Sequence, residues 1–295
     1  MRIALSGASG LVGGRLAAAL RARGDEVIEL SRNAERGAVG WQPSREPAPA
    51  GALDGSDAVV HLAGEPIAQR WTTRAREAIR DSRTLGTANL IAGIAATDVR
   101  PRVLLSANAV GYYGSRGDEL LVESSAAGAD WLAEVCVEWE RAAMAAAPLG
   151  LRVCVLRAGI VLDRRGGALA KMLPPFRAGL GGPVGGGRQY VSWIHVDDLV
   201  ALYLAALDDD RFAGPLNAVA PEAVRNGEFA KALGRALHRP AVTPVPAAAL
   251  RMLFGDMAVI ISDSQNVRPE LALARGFSFA HADLDEALRN VLSAR

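Results

Sequence analysis

Gly7, Gly10 and Gly13 stand at G-x-x-G-x-x-G spacing in the stretch Gly7-Ala8-Ser9-Gly10-Leu11-Val12-Gly13. The early glycines let a chain turn sharply and bring backbone N–H groups close to a pyrophosphate. The last lets a helix pack tightly on a strand. A glycine trio also serves ordinary turns, so its meaning rests on its flanks. Here an apolar run precedes it and a helical pattern follows, the setting in which this spacing holds a dinucleotide. Gly7, Ser9, Gly10, Leu11, Val12 and Gly13 are therefore expected along the phosphates. A second apolar run closes on Ser31-Arg32, about 20 residues further on, where NAD selectivity calls for an acid on the ribose hydroxyls. A hydroxyl followed by a guanidinium suits a 2′-phosphate instead, which points to NADP(H). Arg15 and Arg36 are further cations that can assist. The competing reading of Arg32 is a solvated surface arginine.

Other side chains have chemical capacity with a structural alternative beside it. Tyr112 and Tyr113 follow a strand-like run, and a phenol can serve as general acid if its pKa is depressed; packing in a loop is the alternative. Cys136 offers thiol chemistry, or is an inert buried cysteine. His61 lies inside an apolar run, which favours a packed, hydrogen-bonded ring. His195, in SWIHVDDL, is expected to order a cleft or its adjacent helix. Glu119 and Glu123 are loop acids. Lys171, Arg177 and Arg188 flank a glycine-rich stretch and can hold an anion or stand solvated. Trp71 and Trp193 can line a pocket or simply pack.

The elements that must position these groups follow from the apolar pattern. Runs at 3–6, 26–30, 58–62, 102–106 and 151–156 are apolar without strict alternation, as suits strands buried on both faces of a parallel sheet. Helical patterns at 12–23, 73–96 and 129–147 lie between them, the first closing at Gly24. The alternation predicts a doubly wound α/β fold with right-handed crossovers. Residues 163–189 are rich in Gly and Pro and read as an irregular excursion around one short helix. YVSWIH reads as a strand leading into a helix capped by Asp197 or Asp198. A helix at 226–237 stops before Pro240, and Asp283 with Glu286 resembles a capping box opening the last helix. We expect a Rossmann core at 1–162, joined by about 190–220, and a smaller interleaved α+β lobe from 163–189 and 221–295.

The 295 residues are half hydrophobic and 22% charged, with a net charge of +1. That balance gives no electrostatic reason to expect nucleic acid or an anionic membrane as partner. The two cysteines have no metal-ligand or CxxC spacing and make no disulfide framework. A reducing, cytoplasmic setting is expected, with no secretory leader and no membrane span. Partners are expected to be a small-molecule substrate and, at most, a second copy of the chain.

Several longer stretches carry a resemblance over essentially the whole length: GASGLVG, DAVVHLAGEPI at 57–67, DSRTLGTANL at 81–90, SANAVGYYG at 106–114, GGALAKMLPPFRAGLGGPVGGGRQ at 166–189, SWIHVDDL at 192–199, LFGDMA and LARGF…LDEAL. The chain resembles the extended short-chain dehydrogenase/reductases, and within them an atypical NAD(P)-dependent epimerase/dehydratase-like branch with an extra carboxyl-terminal region. The resemblance implies a Rossmann sheet of about seven strands, a dinucleotide cofactor and a substrate cleft between lobes. It also implies that Ala63 and Gly64, after Leu62, pass beneath the adenine and ribose side of the cofactor, and that the segment from Ser106 to Val110 closes over the nicotinamide. The glycine-rich run 179–187 with Arg188 resembles the nucleotide-sugar edge of such proteins.

In active relatives a Ser-Tyr-Lys group performs the proton work, the last two at Y-x-x-x-K spacing on one helix. The corresponding segment here, WLAEVCVEWERAA at 131–143, has neither tyrosine nor lysine. If Glu140 matches the glutamate that follows the lysine by four residues, Leu132 and Cys136 hold the tyrosine and lysine positions. Asn108 stands where the branch pattern SASAVGYYG has serine; it can still donate and accept hydrogen bonds. Asn108, Tyr112, Tyr113 and Cys136 are the candidate catalytic residues, and Lys171, Arg177, Arg188 and His195 the substrate-side ones. The leading expectation is an NADP(H)-dependent oxidoreductase or epimerase-like enzyme with a non-standard acid. The alternative is an NADP(H)-sensing or regulatory protein without turnover.

Overall fold

The computed structural model describes residues 1–33, 37–246, 252 and 255–293. Arg36, and Leu253 and Phe254 of the LFGDMA stretch, lie outside the described residues. Strands and helices alternate through the first two thirds: β1 (Arg2–Ser6), α1 (Leu11–Ala22), β2 (Glu26–Ser31), β3 (Val39–Gly40), α2 (Ala50–Leu53), β4 (Ala58–His61), α3 (Thr73–Ala95), β5 (Val103–Ala109), β6 (Leu120–Leu121), α4 (Trp131–Met144), β7 (Arg152–Ala158) and β8 (Ile160–Leu162). There follow α5 (Gly167–Arg177), β9 (Tyr190–Val191), β10 (Trp193–His195), α6 (Val196–Asp208), β11 (Gly214–Ala218), β12 (Val224–Arg225), α7 (Asn226–Leu237), α8 (Val259–Ser262), β13 (Asn266–Val267), α9 (Glu270–Ala274) and α10 (Leu284–Ser293).

Seven strands form one parallel sheet in the order β11-β7-β5-β4-β1-β2-β3. The chain reverses direction across the sheet between β1 and β4, and the crevice beyond the carboxyl ends there is where doubly wound sheets take ligands. Alternate residues of each inner strand enter different cores. Ile3, Leu5, Ala58, Val60 and Leu105 pack with α1 and α6, whereas Ala4, Val59 and Leu104 pack with Leu90 and Ile94 of α3 and Ala143 of α4. Burial on both faces explains why these strands lack alternation. A third cluster joins Leu169 and Phe176 of α5, Phe229 and Leu233 of α7 and Leu288 of α10.

Local signals set the helix ends. Gly24 follows the last turn of α1 with φ 89°, a left-handed conformation that glycine adopts without a Cβ penalty. Thr72 caps α3 by accepting from Ala75 N, and Asp130 caps α4 by accepting from Leu132 N and Ala133 N. The expectation for α6 is corrected: its cap is His195, whose Nδ1 accepts from Asp197 N at 3.1 Å, not Asp197 or Asp198. Asp198 instead accepts from Ala280 N and His281 N, tying the carboxyl-terminal segment to α6. Asp283 does accept from Glu286 N, but the Glu286 carboxylate accepts from His281 Nδ1 at 2.9 Å. YVSWIH is two strands in separate sheets, divided at Ser192, whose hydroxyl donates to Gln265 O and accepts from Val267 N. Strand β5 runs past the expected 106 to Ala109 because β7 pairs with it through Ala158.

Candidate functional site

The glycine turn leaves β1 at Gly7 (φ 77°) and enters α1 after Gly10, whose N–H donates to Gly7 O at 2.9 Å. A Cβ on Gly13 would fall 2.1 Å from Gly7 O, and one on Gly7 would fall 2.7 Å from Leu62 C. No side chain fits at either position, so the backbone of the β1 turn and that of the 62–64 segment lie against each other. Ser6 secures the second segment: its hydroxyl accepts from Ala63 N and donates to His61 Nδ1 at 2.7 Å. Burial pushes the His61 pKa down to about 4, so the ring is neutral and serves packing, as its apolar surroundings suggest. Ser9 and Gly10 are exposed at the mouth of the turn, while Leu11 packs beneath Gly166 and Gly167.

At the end of β2, the Ser31 hydroxyl accepts from Asn33 N. The Arg32 side chain is 72% exposed, and its one ion-pair contact among the described residues is with Glu65 at 3.9 Å. It is therefore available at the rim of the crevice. Arg15 is not: it donates to Asp163 at 2.8 Å and Asp197 at 2.9 Å, which joins α1 to β8 and α6 and removes it from any phosphate role.

Beyond β5 the 110–113 turn sets the two tyrosines in different roles. The Tyr113 hydroxyl is buried; it donates to Asn217 Oδ1 at 2.7 Å and accepts from Arg157 Nη1 at 2.9 Å. Burial, outweighing Arg157, pushes its pKa up to about 12. A committed proton at that pKa corrects the expectation of an acid at Tyr113. Tyr112 is half-buried beneath Arg157, whose Cζ lies 3.5 Å from the ring centroid. Its hydroxyl makes no hydrogen bond among the described residues.

Asn108 is turned into the protein. Its Nδ2 donates to Cys136 O at 3.1 Å and approaches Glu140 at 3.4 Å, and its Oδ1 accepts from Ala109 N. Ser106 is buried within β5, and its hydroxyl donates to Ala107 O. Cys136 is buried, and burial pushes its thiol up to about 12. Burial thus holds Cys136 as the neutral thiol near neutrality. A Cβ on Gly111 would meet Leu132 at 2.9 Å and Cys136 Sγ at 3.6 Å. Both α4 positions thus face the 110–113 turn.

The substrate-side cations are not gathered at one point. Lys171 Nζ reaches the loop after β4 and donates to Ala68 O at 2.5 Å. Arg177 and Arg188 are exposed and form no ion pair among the described residues; a nearby cavity of about 880 Å³ is lined by Pro183, Gly186, Lys231, Arg235 and His238 instead. His195 stacks on His281 with ring centroids 3.8 Å apart. Together with Asp197 these rings bring possible metal-ligand atoms within 4.8 Å of one another. Each group already has a partner, Asp197 N, Glu286 or Arg15. Trp193 is buried, and Trp71 packs against Trp131 at 4.7 Å.

Three features escaped the sequence reading. Arg157, 1% exposed, is held by Glu140 and stacks on Tyr112. Arg83 lies under Gly64. Asp263, half-buried after α8, has its pKa pushed up to about 6 by burial and by Asp130. A lone charged residue within an apolar stretch was the available signal for Arg157; Arg83 and Asp263 carry none, because their neighbours are remote in sequence.

Comparison with known proteins agrees with this architecture. The family model described as the NAD dependent epimerase/dehydratase family matches residues 3–218, and a domain of unknown function, DUF1731, matches 245–291. The Arabidopsis thaliana protein "Epimerase family protein SDR39U1 homolog, chloroplastic" is 40% identical over 99% of this chain and 87% of its own length. A Mycobacterium bovis epimerase family protein, Mb2239, is 40% identical over 97% of this chain and 96% of its own. The crystal structure of human epimerase family protein SDR39U1 (isoform 2) with NADPH superposes with a TM-score of 0.90 at 33% identity, covering 100% of both chains. With its glycine turn, parallel sheet and whole-length relatives, this chain belongs to the NAD dependent epimerase/dehydratase family.

Proposed function

We propose that this protein is an NADP(H)-binding oxidoreductase or epimerase-like enzyme acting on a small molecule such as a nucleotide sugar. The observation that carries the reading is the glycine turn: Gly7 (φ 77°) and Gly13 let it fold tightly onto β1 and the 62–63 backbone, and Gly10 stands exposed at the N-cap of α1 with no side-chain cap bond. An open helix N-terminus of this kind suits a pyrophosphate. The exposed Arg32 guanidinium beside Ser31 supports the 2′-phosphate form, in keeping with the NADPH in the human relative's structure. Ser9, Gly10, Leu11 and Val12 would hold the phosphates, Ser31 and Arg32 the 2′-phosphate, and Leu62, Ala63, Gly64 and the 106–110 segment the remainder.

When bound, the cofactor supplies or accepts a hydride. The chain must then move a proton at the substrate oxygen. Tyr112 suits that task among the four candidates: Tyr113 is committed, Cys136 is held as a thiol, and Asn108 is spent on α4. Arg157, with its Cζ 3.5 Å from the Tyr112 ring centroid, holds that ring in place by a cation–π contact. Lys171, Arg177, Arg188 and His195 would order the substrate side. Purified protein titrated with NADPH and NADH, then supplied with carbonyl compounds and nucleotide sugars, tests the reading. Failure to bind either dinucleotide refutes it.

A second reading is favoured by one observation. Leu132 and Cys136, facing the turn at the tyrosine and lysine positions, leave α4 without the family's proton machinery. Tight NADPH binding with no turnover of any substrate supports a sensor in place of an enzyme.

A further inference from the structure

The missing lysine leaves the site without a cation from α4, yet a guanidinium stands at that point from another helix. Arg83 of α3 lies directly beneath Gly64: a Cβ placed there would be 3.6 Å from its Cζ and 3.7 Å from both Nη atoms. Its charge is also close enough to Cys136, the residue at the lysine position, for each to shift the other's protonation. Its Cζ lies 5.0 Å from the Trp139 ring centroid. Arg83 is therefore enclosed by the 62–65 segment, by its own helix and by the inner face of α4.

Its partners are neutral. Nη1 donates to Glu65 O and Ile79 O, each at 3.1 Å, and approaches Ser82 Oγ at 3.4 Å. Nε and Nη2 make no hydrogen bond among the described residues, and no carboxylate pairs with the guanidinium there. Withdrawal from water disfavours its charged form, and the Glu65 charge opposes this only from a distance. Arg83 is half-buried, and Nε and Nη2 are not sealed from the surface, so a polar ligand group can complete them. Gly64 is exposed, so what comes to rest on the 62–65 segment lies over Arg83.

We propose that Arg83 replaces the lysine that α4 lacks, and that its free N–H groups hold the hydroxyls of the nicotinamide-side ribose of NADP(H). This rests on the cofactor reading above. The residue acts on the cofactor from the opposite wall, so Cys136 can be a small apolar side chain. A guanidinium keeps its charge where a buried ammonium would titrate.

The test uses 2′-phospho-ADP, which carries the adenine-side groups and the pyrophosphate but lacks the nicotinamide-side ribose, beside NADPH. Affinities are read by fluorescence or calorimetry, without reference to turnover, and melting temperatures confirm folding. Arg83→Met is expected to weaken NADPH by about ten- to hundredfold and to leave 2′-phospho-ADP within about twofold. Arg83→Lys should retain most of the NADPH affinity. In the R83M/C136K double variant, a lysine on α4 should recover NADPH binding to within a few-fold of the parent.

Equal weakening of both ligands by Arg83→Met would show that Arg83 only braces the 62–65 segment, and overturns the proposal. So does unchanged NADPH affinity, or a folded double variant that binds no better than Arg83→Met. If Arg83→Met does not fold, Arg83→Gln takes its place: loss of NADPH affinity alone supports the assignment, and parallel loss of both ligands, or loss of neither, overturns it. An unmodified protein that binds neither ligand refutes the underlying cofactor reading, an outcome distinct from all of these.

Discussion

Arg157 holds Glu140 in a two-pronged ion pair, with Nε 2.9 Å from one carboxylate oxygen and Nη2 2.7 Å from the other. The pair joins β7 to α4 where both border the 110–113 turn. Arg157 is 1% exposed and also donates to Glu123 O at 3.1 Å and the Tyr113 hydroxyl. Removing the carboxylate strands a buried cation. Glu140→Ala is expected to lower stability by about 3 kcal/mol, read by urea denaturation, with a melting temperature several degrees lower. A change within experimental error would show that the other partners of Arg157 suffice.

Cofactor choice turns on Arg32. Its side chain is exposed beside Ser31 and only loosely paired with Glu65. Arg32→Ala should weaken NADPH by about tenfold or more, the scale of a charge-assisted hydrogen bond, and leave NADH nearly unchanged. Equal losses for the two cofactors would refute contact with the 2′-phosphate.

The adjacent tyrosines should separate cleanly. Tyr112→Phe is expected to reduce turnover by about a hundredfold or more, with NADPH affinity and melting temperature retained. Tyr113→Phe removes a buried hydroxyl bonded to Asn217 and Arg157, so it should lower stability by about 1–3 kcal/mol. Reversal of the two phenotypes would move the proton to the other ring.

His61 makes stability depend on pH. Its pKa of about 4 in the fold lies below the ordinary 6.5 because the ring is buried. The unfolded chain therefore binds the extra proton more readily in that interval. The contribution is fully present above about pH 6.5 and is lost as pH falls towards 4, by about 3 kcal/mol in total. His61→Gln should flatten this part of the pH–stability curve, measured by denaturant titration; an unchanged slope would locate the titration elsewhere.

Asp263 has the opposite sign. Its pKa is raised to about 6, so the folded chain binds the proton more tightly than the unfolded chain. Stability from this group is greatest below about pH 3.8 and declines as pH rises through 6. Asp263→Asn should raise the melting temperature at pH 7.5 but not at pH 3.5, by about 1 kcal/mol once solvent screening is counted. A gain of equal size at both pH values would point to packing in place of charge.

Much of the sheet was readable because its strands are short, apolar on both faces and bounded by turns. Ile3 and Leu5 with Ala4 between them illustrate that pattern. The Gly7–Gly13 turn was equally readable, since spacing and flanks coincide in one short segment. Ends set by distant contacts were not. The α6 cap was assigned to an aspartate because aspartate is the common capping residue, yet His195 enters the position from a strand with its Nδ1 already aimed at Asp197 N. The separate fates of Tyr112 and Tyr113 depend on Asn217, more than a hundred residues away. Arg15 likewise resembles a phosphate ligand until Asp163 and Asp197 fold against it.

The contact of Leu11 with Gly166 and Gly167 makes the opening of the cofactor turn a mechanical event shared with α5. Those glycines begin the helix that carries Lys171 to Ala68. A shift of Leu11 at the opening of the glycine turn is therefore felt at the start of α5 and, through Lys171, at the loop after β4.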